Sequence, residues 1–186
     1  MNAVVQARAS QAVAALPTVA ALEPAQYLTF LLAGEAFAIN ILSIKEIIEY
    51  HSLTEVPMMP ASVRGVINLR GAVVPVMDLL VRFGRKPSEV TKRTCIVIVE
   101  VEAEVDGEPE RQVIGVVVDA VNEVLDIAGA DIEPAPAFGA RIRTDFIQGM
   151  GKVRGKFVIL LNVNHVLSLD EIQAAAGAAE QAAHAA

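Results

Sequence analysis

Three histidines are the first residues to test for chemistry: His51, His165 and His184. None stands in a spacing such as H-x-x-x-H, which would let two imidazoles grip one ion, so no metal site is expected. Asp78 ends an apolar run, where a phosphoacceptor aspartate would sit. That chemistry needs further acidic residues at strand ends and an alternating β/α pattern. Both are missing, and Asp78 reads as a polar residue closing a strand. Gly149-x-Gly151-x-x-x-Gly155 superficially resembles a nucleotide fingerprint, but the spacing is wrong and it leads into a strand. No helix N-terminus would then receive a phosphate, so these read as β-turn glycines. There is no G-x-S-x-G elbow, no Walker A run and no supported Ser/His/Asp order. The single cysteine, Cys95, excludes an internal disulfide and a multi-cysteine metal site. It lies in the apolar run Thr94-Cys95-Ile96-Val97-Ile98-Val99 and reads as a buried, inert thiol, a usage that fits a reducing cytoplasm. No catalytic residue and no cofactor is expected. A binding or scaffolding module is the class left.

Composition narrows the partners. The chain has 186 residues and a formal net charge of −7. No run of Lys or Arg exceeds two, so the basic patch that nucleic acid requires is absent. Mean hydropathy is +0.48, which raises the question of a membrane span. A span needs ~18 consecutive apolar residues. The run from Val113 to Val118 stops at Asp119, and the run from Ala72 to Leu80 contains Pro75 and Asp78. Direct membrane insertion is therefore not expected.

The hydrophobic content is unevenly placed. Residues 1–25 hold nine alanines, and residues 173–186 hold nine more. Alanine buries little surface, so residues 1–24 and 173–186 read as Ala-rich tails around a domain at 25–172. Ser168-Leu169-Asp170-Glu171 matches the S-x-x-E capping box, so a short C-terminal helix is expected from about Leu169. Residues 26–172 carry 22 Val and 15 Ile, stiff β-branched side chains that favour strands. Expected strands are Gln26–Leu32, Ala36–Ile41, Val73–Asp78, Thr94–Val101, Val113–Asp119 and Lys156–Val163. Ala33-Gly34-Glu35 is expected as a tight turn. Asp106-Gly107 is expected as the tip of an exposed, charged hairpin over Glu102 to Arg111. The fold class is all-β.

An internal repeat sharpens this. The segment from Val63 to Val74 aligns with the segment from Ile147 to Val158, an offset of 84 residues. Gly65/Gly149, Arg70/Arg154, Gly71/Gly155 and Val74/Val158 are identical. A second match, at an offset of 77, pairs Phe37-Ala38-Ile39 with Ile114-Gly115-Val116, Glu46 with Glu123 and Pro57 with Pro134. Two copies of one β unit are expected. A half of roughly 75 residues is marginal alone, so the two should share an apolar seam. Each Arg-Gly step reads as a turn between two strands, with the arginine presented at its edge, in reach of a partner or a carboxylate.

The segment Val63-Arg64-Gly65-Val66-Ile67-Asn68-Leu69-Arg70-Gly71-Ala72-Val73-Val74-Pro75-Val76-Met77-Asp78-Leu79 strongly resembles the hallmark of the CheW family of chemotaxis coupling proteins. Gln26-Tyr27-Leu28-Thr29-Phe30, Phe37-Ala38-Ile39-Asn40-Ile41 and Ile44-Lys45-Glu46-Ile47 resemble the family's opening segments. Gly115-Val116-Val117-Val118-Asp119-Ala120-Val121 and Ile132-Glu133-Pro134-Ala135-Pro136-Ala137-Phe138 follow in its order. The resemblance implies two intertwined SH3-like β-barrel subdomains with a shared apolar core. It implies a non-enzymatic adaptor that joins the cytoplasmic tips of chemoreceptors to the regulatory domain of the histidine kinase CheA. Such an adaptor is cytoplasmic and recruited to membrane-associated receptor arrays; a related adaptor role in pili or development is the alternative. By the same resemblance Ile44, Glu46, Gly65, Arg70 and Gly115 would be receptor-binding, and Phe138 kinase-binding. Each has a plainer reading: strand core for Ile44, turn geometry for Gly65, close strand packing for Gly115, an ion pair from Arg70 to Glu46, and an ordinary core aromatic for Phe138.

Overall fold

The computed structural model describes residues 24–135, 142–168 and 170. Eleven strands run in order: β1 (Ala25–Leu32), β2 (Glu35–Asn40), β3 (Ile44–Glu49), β4 (Val63–Leu69), β5 (Ala72–Asp78), β6 (Cys95–Val105), β7 (Glu108–Val118), β8 (Ala120–Ile127), β9 (Ile132–Glu133), β10 (Ile147–Val153) and β11 (Lys156–Leu161). Two single-turn helices follow equivalent strands, α1 (Leu79–Arg82) after β5 and α2 (Val163–Val166) after β11. One sheet has the order β8-β1-β2-β11-β10-β9 and the other β3-β6-β7-β5-β4. The protein is thus all-β, built as two small barrel-like subdomains of the SH3-like kind.

The repeat is present, but its strands are exchanged. β1 and β2 belong to the first copy, yet they pair with β8 and β11 of the second. β6 and β7 belong to the second copy and pair with β3 and β5 of the first. Both cross-copy joins to the later strand are parallel, Phe37 opposite Ile159 and Gly115 opposite Val76. Neither sequence half is a barrel on its own. A continuous stretch from β3 to β7 forms one sheet, and the two ends of the described chain form the other.

Core placement follows from the exchange. One buried cluster spans both sheets and includes Phe30, Phe37, Val97, Val99, Val116 and Leu161. Within it Phe30, Phe37, Phe83 and Phe146 form a chain of rings with centroids 6.2, 5.8 and 6.2 Å apart. Each subdomain also keeps an interior of its own. Ile67, Val74, Val76, Ile96, Ile98 and Val117 fill one, and Tyr27, Ala38, Ile127, Val158 and Leu160 the other. A strand between two apolar layers must be apolar on both faces, which explains the Val/Ile runs.

Most expected strands are present with end shifts of a residue or two. The expected strand Lys156–Val163 stops at Leu161, because the Asn162 side chain accepts from the His165 amide and caps α2, which begins at Val163. Asp78 does the same for α1, accepting from the Leu80 amide. The charged hairpin is strand to its tip: β6 and β7 pair from Cys95–Val118 out to Val105–Glu108. Of the expected Ser168–Glu171 helix start, Leu169 and Glu171 lie outside the described residues, and Asp170 is helical. No described helix is long and apolar enough to cross a membrane.

Candidate docking surface

The Arg-Gly turn is built on a mirror-type hairpin. Arg70 and Gly71 both have left-handed backbones, with φ of 52° and 85°. A two-residue turn of this hand matches the twist of the strands it joins. Glycine enters that region freely, whereas arginine does so against its Cβ. The Asn68 side chain helps to hold the loop by accepting from the Gly71 amide at 2.9 Å. The turn carries the Arg70 guanidinium to β3, across the gap between the two edge strands of this sheet. There it donates to both oxygens of Glu46, at 2.6 and 3.0 Å. This bidentate geometry suits a planar guanidinium and a carboxylate. The hydrogen bond to Arg70 holds the Glu46 carboxyl below the usual carboxylate range, and the same bond holds Arg70 above its own. The Arg70 side chain still shows 77% of its surface to solvent, so bracing Glu46 and presenting a donor surface coexist.

The other expected site residues sit around this clasp at different depths. Ile44 opens β3 and is half-buried against the shared core. Beside it Leu42 is 90% exposed. Gly65 lies inside β4, at a register shift opposite Val76, and not in a turn. Its requirement is space: a Cβ there would stand 2.6 Å from the Thr54 carbonyl oxygen and 3.0 Å from the Leu53 Cβ. Gly115 lies in the middle of β7, where a Cβ would stand 2.9 Å from Ile96 Cγ2 and 3.1 Å from Val76 Cγ2. Glu46 and Arg70 therefore meet directly at the surface, while Gly65 and Gly115 let the barrel beneath them close. Phe138 lies outside the described residues.

Charge on β3 continues past Glu46. Lys45 reaches Glu100 at 3.0 Å, and Arg111 reaches the same carboxylate at 3.3 Å. These partners, Lys45 first, hold Glu100 below the usual carboxylate range. At the far side of β3, Cys95 is half-buried instead of buried as expected, and burial and then the charge of Glu49 push its thiol up, in keeping with an unreactive cysteine.

Two features were foreseen from the sequence only in kind, without their residues. The first is a second clasp. Arg154 and Gly155 form an equivalent turn with φ of 51° and 77°, and Arg154 meets Glu123 at 3.6 Å. The repeat had already paired both residues with Arg70 and Glu46, which was signal enough to find it. The second is a matching set of exposed apolar side chains. Ile47 and Val73 in one copy correspond to Val124 and Phe157 in the other, with exposures of 42, 71, 46 and 51%.

A cleft of about 390 Å³ lies where the β1–β2 turn meets residues 85–91, lined by Leu80, Arg85, Lys86, Ser88 and Asp119 among others. The one hydroxyl there with a buried partner, Ser88, donates to Asp78 at 3.0 Å and serves the fold. Among the described residues no group of three or more His, Cys, Asp or Glu is placed to hold a metal ion.

Comparison with known proteins fits this architecture. The family model for the CheW-like domain matches residues 26–171. The chemotaxis protein CheW of Rhizobium meliloti is 33% identical over 81% of this chain and 92% of its own. That of Klebsiella aerogenes is 31% identical over 79% and 84%. The crystal structure of the scaffolding protein TtCheW from Thermoanaerobacter tengcongensis superposes with a TM-score of 0.67 at 34% identity, covering 79% of this chain and 90% of that one. With residues 26–171 matched by the family model and relatives at 31–33% identity over about four fifths of its length, this chain belongs to the CheW-like domain family.

Proposed function

We propose that this protein is a non-catalytic scaffold of a chemosensory pathway, joining the cytoplasmic tips of chemoreceptors to the regulatory domain of the kinase CheA. Relatives named as chemotaxis proteins, and one named as a scaffolding protein, support the pathway and the role. The observation that carries the reading is the clasp of Arg70 on Glu46, a bidentate pair on a barrel edge whose arginine stays open to solvent. A helical hairpin presenting an apolar stripe and polar flanks is the kind of partner such an edge fits. Ile44, Glu46, Gly65, Arg70 and Gly115 form the receptor side of this reading, the two glycines by shaping the barrel that carries the clasp. Phe138, following Pro134 and Pro136, forms the kinase side. The working unit is residues 25–172, cytoplasmic and recruited to receptor arrays. Coupling then arises from binding free energy shared between two sites, without chemistry on the adaptor.

Co-purification tests this directly. The full chain should capture both a receptor cytoplasmic fragment and the kinase. Arg70→Glu should lose the receptor fragment while keeping the kinase, with only a small fall in melting temperature. If the folded wild-type chain captures neither partner, the reading fails.

A further inference from the structure

The segment between β3 and β4 carries an apolar tip that the docking reading leaves unused. Its sequence is Val56-Pro57-Met58-Met59-Pro60. Its roots are stapled to β4: the Thr54 amide donates to the Val66 carbonyl at 3.0 Å, and the Val66 amide donates to the Thr54 carbonyl at 2.9 Å. The Val63 amide donates to the Pro60 carbonyl at 2.9 Å. Two prolines, each with a fixed φ, stiffen the span between the staples. Met58 stands at its tip with a left-handed φ of 62° and 92% of its surface exposed. Met59 beside it is 39% exposed. The remaining described methionines are placed otherwise. Met77 is 0% exposed inside the shared core, and Met150 is partly buried against it.

We propose that Met58 is a methionine sulfoxide site, oxidised by hydroperoxides ahead of every other described methionine and without loss of the fold. A lone pair on its Sδ attacks the outer oxygen of the peroxide. An S–O bond forms as the O–O bond breaks, and the proton of the transferred hydroxyl moves to the departing oxygen. That oxygen leaves as water when the oxidant is hydrogen peroxide. The sulfur gives up two electrons and the peroxide takes both. Thioether oxidation follows access of the oxidant to sulfur, and the product is polar and chiral. At Met58 the new S=O dipole stays in water, so the barrel beneath loses nothing. At Met77 the same dipole would be buried among apolar side chains without a partner, which is costly. Sulfoxide at an exposed, stapled tip is also open to methionine sulfoxide reductases, which makes the mark erasable.

The test treats the native full chain with hydrogen peroxide and follows each methionine by peptide mass mapping. Met58 should take up oxygen first, then Met59, with Met150 and Met77 last. The melting temperature should not move with the first oxygen. A reductase with thiol should return Met58 to the thioether. Denatured chain should lose the order, tying it to the fold. Met58→Leu should abolish the earliest uptake. Equal or earlier oxidation of Met59, Met77 or Met150 in the native chain would overturn the proposal. So would a fall in melting temperature that tracks oxidation of Met58.

Discussion

The two Arg-Glu clasps are made from the same parts and closed to different degrees. At one, Arg70 and Glu46 share two short hydrogen bonds. At the other, Arg154 and Glu123 stand 3.6 Å apart, an ion pair beyond hydrogen-bond length. Both arginines are exposed to a similar degree, 77 and 78%. The carboxylates differ: Glu46 is 26% exposed and Glu123 51%. Depth of the carboxylate thus goes with the tightness of the clasp. The same contrast appears beneath them. Gly65 lies against a backbone oxygen of the crossing segment at Thr54, whereas the equivalent Gly149 lies against the Ile132 Cγ2 methyl and, slightly farther off, the Glu133 carbonyl oxygen. One copy is braced by a rigid main-chain crossing and a locked ion pair. Its twin meets a side-chain methyl first and a backbone oxygen only at 3.1 Å, and it carries a looser ion pair. A partner that needs a fixed surface is better served by the first.

The largest effect comes from removing what the two copies hold in common. Phe37→Ala should cost ~3–5 kcal/mol, because Phe37 is fully buried between two stacked rings in the shared cluster. Both copies should fall together. The chain has two tyrosines and no tryptophan, and Tyr27 sits in one private interior while Tyr50 packs on the other. Single-tyrosine variants followed by denaturant should show coincident transitions. Separate midpoints would mean that the subdomains are thermodynamically independent.

A smaller effect separates the twins. Gly65→Ala should cost ~1–3 kcal/mol, the range for an overpacked site, since a backbone oxygen 2.6 Å from the new Cβ cannot rotate aside. Gly149→Ala should cost less, because the nearest backbone oxygen stands 3.1 Å from the new Cβ instead of 2.6 Å, and the closest atom belongs to the Ile132 side chain. Equilibrium denaturation of both variants measures the difference, and equal costs would remove this contrast.

The smallest effects on stability belong to the clasps themselves, since exposed ion pairs contribute little. Arg70→Ala should lower the melting temperature slightly at neutral pH. Glu46 has its folded pKa depressed, chiefly by the Arg70 hydrogen bond. Its contribution is therefore present above the ordinary carboxylate pKa and is lost as pH falls through the depressed folded value. The gap between wild type and Arg70→Ala should close on acidification. A gap that widens toward low pH would show that Arg70 acts on something other than the Glu46 carboxylate.

How much of this was readable beforehand depends on the kind of signal. Ala33-Gly34 and Asp106-Gly107 announced their turns, and both pairs have the positive φ values that such hairpins need. The Val/Ile runs announced β6, β7 and β11, because strands covered on both faces are apolar throughout. β3 and β8 were harder to see. Ile44-Lys45-Glu46-Ile47-Ile48-Glu49 and Ala120-Val121-Asn122-Glu123-Val124-Leu125-Asp126-Ile127 mix charge and apolar residues without strict alternation, since both are edge strands. The exchange of strands between copies left no trace in the periodicity, which reports which face is buried and not which strand lies alongside. The Arg70–Glu46 pair was foreseen as an alternative to partner contact, and the geometry provides the pair while leaving the arginine exposed. For Gly65, the plainer alternative of turn geometry did not hold, because its limit comes from Thr54, distant in sequence and adjacent in space.

The exchanged strands have a consequence for how the chain could be divided. Residues 84–94 join the two copies, and the chain could be severed there without cutting a strand. Each fragment would hold parts of both barrels and the whole of neither. The first would carry β1 and β2 without the β8 and β11 that flank them, and the second would carry β6 and β7 without β3 and β5. Two such pieces would complete each other only by assembling, like two hands with interlaced fingers. The uncut protein is in this sense a dimer of half-chains made permanent by one peptide link.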